Sequence, residues 1–143
     1  MQALDISRTG LDVEWRRLEL IAQNLANVDV AAAPGGPVYR AQHLVAVTRG
    51  GFARYLQQDT ADVKDLAGVA ATAVTLSQAP PRLVHEPGNP AANAAGFVAY
   101  PAIDHAEEMT LMIKTARAYE ANIVAMGMAH EMYAKALEIG RRS

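Results

Sequence analysis

The stretch from residue 103 to residue 139 decides the architecture; it reads IDHAEEMTLMIKTARAYEANIVAMGMAHEMYAKALEI. It lacks proline and has one internal glycine, Gly127, so it predicts a single uninterrupted helix. Two series of residues recur every seven positions, with alternating spacings of three and four that are typical of a coiled-coil seam. One series is Met109, Ala116, Ile123, His130 and Leu137, and the other is Met112, Tyr119, Met126 and Tyr133.

A second helical pattern covers residues 3–28, which contain one glycine, Gly10, and no proline. Leucine recurs every seven residues here, and a second series follows it four residues later, so this segment also predicts a heptad seam. The leucines are Leu4, Leu11, Leu18 and Leu25, and the second series is Arg8, Trp15 and Ala22. Because glycine costs about 1 kcal/mol relative to alanine inside a helix, we expect the first turns to be weak without packing partners.

The segment between the two helical patterns has a different character. It predicts short strands at Val38–Val47, Val69–Leu76, Arg82–His85 and Gly96–Tyr100. Turn signals separate them at Gly50-Gly51, Pro80-Pro81 and Pro87-Gly88-Asn89-Pro90. A few short strands with long connections bury little surface by themselves, so we expect this segment to lie against neighbours.

These patterns together predict a mainly α fold with three segments. An N-terminal helix occupies residues 1–30, an irregular β-containing segment residues 31–101, and a C-terminal helix residues 102–143, where Gly140, Arg141 and Arg142 end it. The two helices are expected to pair as a coiled-coil-like hairpin.

The C-terminal helix also carries apolar and small residues outside its seam. They are Ile113, Ala118, Ala121, Ala125, Met128, Ala129 and Met132. A two-helix hairpin buries one stripe of each helix, so a lone protomer would expose these residues as an apolar patch. The sequence therefore favours a subunit that completes its core by polymerising. The alternative is a monomeric bundle, for which the sequence offers no further helices.

Composition excludes several classes of function. The 143 residues are 51% hydrophobic and 20% charged, which is enough apolar material for a core. A net charge of −2 gives no basic field for nucleic acid, and the absence of cysteine excludes disulfides and thiolate chemistry. Charged residues occur throughout residues 1–30, so the sequence predicts no cleaved signal peptide. The longest apolar stretch, residues 66–76, is too short to predict a membrane span.

Candidate catalytic chemistry is sparse. His105 and Glu108 have the i, i+3 spacing of a bundle metal site, but a di-metal centre needs a second such pair. His130-Glu131 begins like a zinc-protease motif, whose second histidine would fall at Ala134. No phosphate loop or nucleophile elbow is present. We predict no catalytic, cofactor or metal site and therefore no enzyme, with a small metal-dependent bundle enzyme as the competing hypothesis.

Two runs resemble the bacterial flagellar axial proteins, which are the rod, hook and filament-junction subunits. ALDISRTGL…QNLANVD contains Gln23-Asn24-Leu25-Ala26-Asn27, similar to the Asn-Leu/Ile-Ala-Asn signature at the end of their first helix. EEMTLMIKTARAYEAN contains Arg117-Ala118-Tyr119-Glu120-Ala121-Asn122, which resembles their last helix. The runs PGGPVYRAQ, PPRLVHEPGNPAANAAGFVAYP and AKALEIGR resemble in particular the FlgC-type family of proximal-rod proteins of the flagellar basal body.

The resemblance implies a structural subunit of the proximal rod that polymerises helically into the drive shaft transmitting torque for motility. It implies export by the flagellar type III apparatus without signal cleavage, assembly in the periplasm, and contacts with other copies and other rod subunits. The terminal helices would form the inner coiled-coil layer. The alternative is a secreted or cytoplasmic coiled-coil adaptor that does not polymerise.

The seam and signature residues are the predicted assembly residues. In the N-terminal helix they are Leu4, Leu11, Trp15, Leu18, Gln23, Asn24, Leu25, Ala26 and Asn27. In the C-terminal helix they are Met109, Met112, Ala116, Arg117, Ala118, Tyr119, Glu120, Ala121, Asn122, Ile123, Met126, Tyr133 and Leu137. We predict neither a small-molecule substrate nor a cofactor.

Overall fold

A computed structural model describes residues 2–48 and 68–141, with side chains from residue 4 onward. Its elements are α1 (Gln2–Asn27), β1 (Gln42–Thr48), β2 (Val69–Leu76), β3 (Arg82–His85), β4 (Phe97–Tyr100) and α2 (His105–Gly140). β1 pairs with β2, and β3 pairs with β4. The predicted turn at Gly50-Gly51 and the end of the last segment at residues 142–143 lie outside the described residues.

The secondary structure corrects the predicted fold class. A long helix does occupy each end of the chain, with 26 residues in α1 and 36 in α2. The middle, however, contributes strands of 7, 8, 4 and 4 residues, so the fold is mixed α and β rather than mainly α. β2 and β3 have their predicted bounds. β1 begins four residues later than predicted. β4 begins one residue later than predicted, because Gly96 has a φ of +78° that an extended strand residue does not adopt.

The chain forms two compact units. The terminal unit falls within Met1–Arg16, Val45–Ala73 and Thr115–Ser143, and the central unit within Arg17–Leu44 and Val74–Lys114. Each unit therefore contains residues from both helices and from the middle segment.

The β3–β4 hairpin belongs to the central unit. Its antiparallel register pairs Arg82 with Tyr100 and His85 with Phe97, and Val98 is completely buried. A Cβ added at Gly96 would lie 3.1 Å from the Nε2 atom of His85. The left-handed backbone and this close approach both require glycine before β4.

Asp104 starts α2 in the same unit. Its Oδ1 atom accepts hydrogen bonds from the backbone N–H groups of Ala106 at 2.8 Å and Glu107 at 3.1 Å. These amides have no partner inside the helix, so the aspartate is an N-cap that stabilises the helix by about 1 kcal/mol. The helix start is therefore fixed by a local side chain.

Contacts between the two helices are described in the terminal unit. A Cβ added at Gly10 would lie 3.1 Å from the Nδ2 atom of Asn122, so the glycine permits a close approach of α1 to α2. The rings of Trp15 and Tyr119 have centroids 6.1 Å apart. The glycine that weakens the first turns of the helix thus has a packing reason.

We expect alanine at two helical glycines to have different effects. Gly127→Ala should raise the free energy of unfolding by about 1 kcal/mol, because its Cβ meets nothing within 4 Å. Gly10→Ala should raise the free energy of unfolding by clearly less than this, or lower it, because Asn122 must move aside. Urea unfolding followed by circular dichroism measures both, and equal gains would contradict the close approach.

Candidate assembly surfaces and the buried asparagine

The amide of Asn24 is completely buried near the end of α1, in the central unit, and forms several hydrogen bonds. Its Nδ2 group donates to the backbone oxygen of Gln42 at 3.0 Å and to Oε1 of Glu108 at 3.1 Å. Its Oδ1 atom accepts from the hydroxyl of Tyr39 at 3.0 Å and from the backbone N–H of Gln42 at 2.9 Å. Both amide protons and both acceptor positions are therefore used. We call Asn24, Tyr39, Gln42 and Glu108 the Asn24 cluster.

The Asn24 cluster joins three parts of the chain. Asn24 lies on α1, Tyr39 and Gln42 belong to the extended chain that leads into β1, and Glu108 lies in the first turns of α2. Burial raises the pKa of the Tyr39 hydroxyl, which keeps it a hydrogen-bond donor at neutral pH. The cluster is thus a specific link between both helices and the middle segment.

The second asparagine of the signature has a different role. The Nδ2 group of Asn27 donates to the backbone oxygen of Gln23 at 2.7 Å, an exposed bond within the same helix. The backbone oxygen of Asn27 accepts from the N–H of Val30 at 3.2 Å, just beyond the helix end. Asn27 therefore serves the local end of α1, whereas Asn24 connects distant segments.

The predicted assembly residues differ widely in burial. Asn24 is buried. Half-buried are Leu4, Leu11, Leu18, Leu25, Asn27, Met112, Ala116, Ala118, Tyr119, Asn122 and Met126. Exposed are Trp15, Gln23, Ala26, Met109, Arg117, Glu120, Ala121, Ile123, Tyr133 and Leu137. Their part in assembly remains a prediction, since burial in one protomer does not test contacts between copies.

Burial varies along one of the two predicted heptad series of α2. Met109 and Ile123 are 40% and 45% exposed, whereas Glu108 and Thr115, each one residue before a member of that series, are 4% and 2% exposed. A shift of one residue rotates the face by about 100° around the helix axis. Within the protomer the series beginning at Met109 is thus partly exposed, with Ala116 half-buried, and its role as a seam stays a prediction.

The inner face of α1 also contains residues that the heptad pattern missed. The buried apolar residues among the described part of this helix are Val13, Leu20 and Ile21. The heptad pattern assumes one helical partner, but α1 also contacts the middle segment: in the terminal unit the Thr9 hydroxyl accepts from the N–H of Val69 at 3.1 Å. A wider apolar stripe that included Val13 and Leu20 would have been the better sequence signal.

A large apolar surface lies on the outer side of α2 in the terminal unit. Val124, Met128, Met132 and Ile139 are 61%, 62%, 68% and 70% exposed. Spacings of four and seven residues place them on one face of the helix, and Val124 lies about 180° around the axis from buried Thr115. We call these four residues the outer stripe; it is the main exposed apolar feature of the described helix.

The candidate metal residues separate in the structure. His105 is exposed, whereas the carboxyl of Glu108 belongs to the Asn24 cluster. Within residues 2–48 and 68–141, no group of three or more histidine, aspartate or glutamate side chains could hold a metal ion. In the same ranges, neither helix combines the length and the apolar character needed to cross a bilayer.

Comparison with known proteins identifies the class. Residues 94–139 match the family described as flagellar basal body rod FlgEFG protein C-terminal. Across 141 residues the chain is 36% identical to flagellar basal-body rod protein FlgC of Salmonella typhimurium, covering 99% of this chain and 98% of the relative. The corresponding Bacillus subtilis protein is 32% identical, with 97% of each chain covered. That of Aquifex aeolicus is 31% identical, with 95% and 93% covered.

These matches define a structural protein of the flagellar rod, a class that is not enzymatic. More narrowly, the chain belongs to the flagellar basal-body rod protein FlgC family. The resemblance carried by the terminal helices and the proline-rich segment is therefore confirmed.

Replacing the two signature asparagines should separate their roles. Asn24→Ala leaves the Tyr39 hydroxyl, the Gln42 amide and the Glu108 carboxyl without their shared partner, so we expect a loss of about 3 kcal/mol in unfolding free energy. Asn27→Ala removes one exposed bond and should cost less than about 1 kcal/mol. Urea unfolding of both variants checks this, and similar losses would show that the Asn24 cluster contributes little.

Proposed function

We propose that this chain polymerises helically, with copies of itself and with other rod subunits, into the proximal rod of the bacterial flagellar basal body. The outer stripe is the observation that carries the proposal. Full burial of a side chain such as valine or methionine is worth about 1.5–3 kcal/mol, and the protomer leaves four such side chains largely in water. Contact between copies would remove this surface from water.

The contacts inside the terminal unit support the proposed arrangement of the helices. Trp15 and Tyr119 bring α1 and α2 together on one side of α2, which leaves the outer stripe for neighbouring copies. We place the terminal helices, residues 1–30 and 102–143, in an inner coiled-coil layer. Residues 31–101 then pack outside this layer and between neighbours.

The helical polymer would act as a drive shaft that carries torque. A heterologous contact that does not close on itself produces a helical filament, and each new subunit docks on the end that the preceding layer presents. We propose that the subunit reaches the periplasm through the flagellar type III export apparatus without signal cleavage. Membership of the chain in the flagellar basal-body rod protein FlgC family supports this route.

Removal of the gene should stop rod construction. Because later subunits then have no docking surface, we expect basal bodies that retain the membrane ring but bear no hook or filament. Electron microscopy of the deletion strain is the measurement. Complete hooks in that strain would show that the chain is not an obligatory rod layer and would favour a non-polymerising adaptor.

The outer stripe itself can be tested by complementation of the deletion strain. Met128→Glu places a charge in the proposed contact between copies, where burial without a partner costs several kcal/mol, so swimming and hook formation should be lost. Ala94→Glu introduces the same residue on an exposed connection between β3 and β4 and should restore both.

The purified Met128→Glu protein should unfold within about 0.5 kcal/mol of the unsubstituted chain, because Met128 is exposed in the protomer. This control separates failed assembly from failed folding. Normal swimming with Met128→Glu would exclude the outer stripe as a contact surface.

A further inference from the structure

The carboxyl group of Glu108 is a buried titratable group that the proposed assembly does not use. Its side chain lies in the Asn24 cluster with 4% of the residue exposed. Oε1 accepts one hydrogen bond from Asn24, whereas Oε2 is buried and has no hydrogen-bond partner among the described residues. An ionised carboxylate would therefore place an incompletely paired charge inside the central unit.

Asn24 and Tyr39 cannot supply the missing donor without breaking an existing bond. Asn24 already uses both amide protons, one for Glu108 and one for the backbone oxygen of Gln42. The hydroxyl of Tyr39 donates to Asn24, and the side-chain amide of Gln42 donates to that hydroxyl at 3.4 Å. The side-chain donors of Asn24 and Tyr39 are therefore all in use, while the Glu108 carboxyl receives a single bond.

The charges near Glu108 oppose one another. His43, on β1, favours the ionised carboxyl, and so do the Asn24 hydrogen bond and the N-terminal end of the α2 dipole. Glu107, the preceding residue, favours the neutral form. Burial is the strongest influence, and the net result is a pKa of Glu108 above its ordinary value.

We propose that the Asn24 cluster is a pH switch in which a protonated Glu108 holds α1, the Tyr39–Gln42 segment and α2 together, and loss of the proton loosens that contact. On opening, the carboxyl releases its proton to solvent and the carboxylate becomes hydrated. The α2 start would then no longer be held against Asn24. This inference concerns a single protomer and holds whether or not the protein polymerises.

The direction of the pH dependence follows from linkage. A carboxyl whose pKa is higher in the folded than in the unfolded state binds more protons when folded. Its stabilising contribution is therefore complete below the unfolded value, which is near 4.5, and is lost as pH rises through the folded pKa. A rise of pH through the folded pKa of Glu108 should thus loosen the central unit.

The test compares Glu108→Gln with the unsubstituted chain. Glutamine has the shape of the protonated acid, keeps an oxygen for Asn24 and cannot ionise. Urea midpoints between pH 4 and pH 9 should fall more with rising pH for the unsubstituted chain than for Glu108→Gln. The matched control is Glu131→Gln, which removes an exposed charge from the same helix away from the Asn24 cluster and should follow the unsubstituted chain.

A second measurement decides the question even if Glu108→Gln does not fold. Carbon-13 NMR of the unsubstituted protein follows the Glu108 carboxyl directly, and a titration midpoint above 4.5 supports the switch. A midpoint at or below 4.5 would overturn it, since another donor, such as a bound water, must then stabilise the carboxylate. The proposal would also be overturned if the urea midpoints of Glu108→Gln and of the unsubstituted chain differed by the same amount at every pH.

Discussion

The complete burial of one amide, that of Asn24, is the constraint on which the central unit depends. A buried amide without partners costs more than its hydrogen bonds contribute, so the chain must bring two acceptors and two donors to it. Those groups come from Tyr39, Gln42 and Glu108, which lie 15, 18 and 84 residues away along the sequence. One polar side chain therefore fixes the end of α1, the approach to β1 and the start of α2 together, with a directionality that apolar packing lacks.

The most buried and the most exposed residues of α2 differ from the usual pattern of a helix in a soluble protein. The buried side includes Glu108 and Thr115, whereas the exposed side carries Val124 and Met128. Buried polar groups give geometric specificity within the protomer, because each needs a particular partner. Exposed apolar groups give attraction without strict geometry. This division suits a rod subunit, whose surroundings after assembly are mostly other protein chains.

The sequence predicts elements here better than it predicts contacts. Both helices and the bounds of β2 and β3 follow from local signals such as proline, glycine and β-branched runs. The heptad pattern could not predict which face of α2 is buried. The pattern is defined by apolar residues, whereas Thr115, a polar residue next to the apolar series, is buried. Asn24 and Asn27 look equivalent in the sequence. Their roles differ because Asn24 binds the backbone of Gln42, whereas Asn27 binds within its own helix. Glu108 had a sequence signal, the spacing to His105, but that signal pointed to a metal.

The methionines of the outer stripe bear on a geometric problem of any shaft built from several kinds of subunit. In the proposed assembly, copies at successive heights would not have identical surroundings, so one surface would have to fit neighbours of slightly different shape. Met128 and Met132 have unbranched, polarisable side chains with three rotatable bonds, which fill irregular gaps at little cost. A stripe of this composition tolerates quasi-equivalent packing, in which a single sequence accommodates more than one local environment without a change of fold.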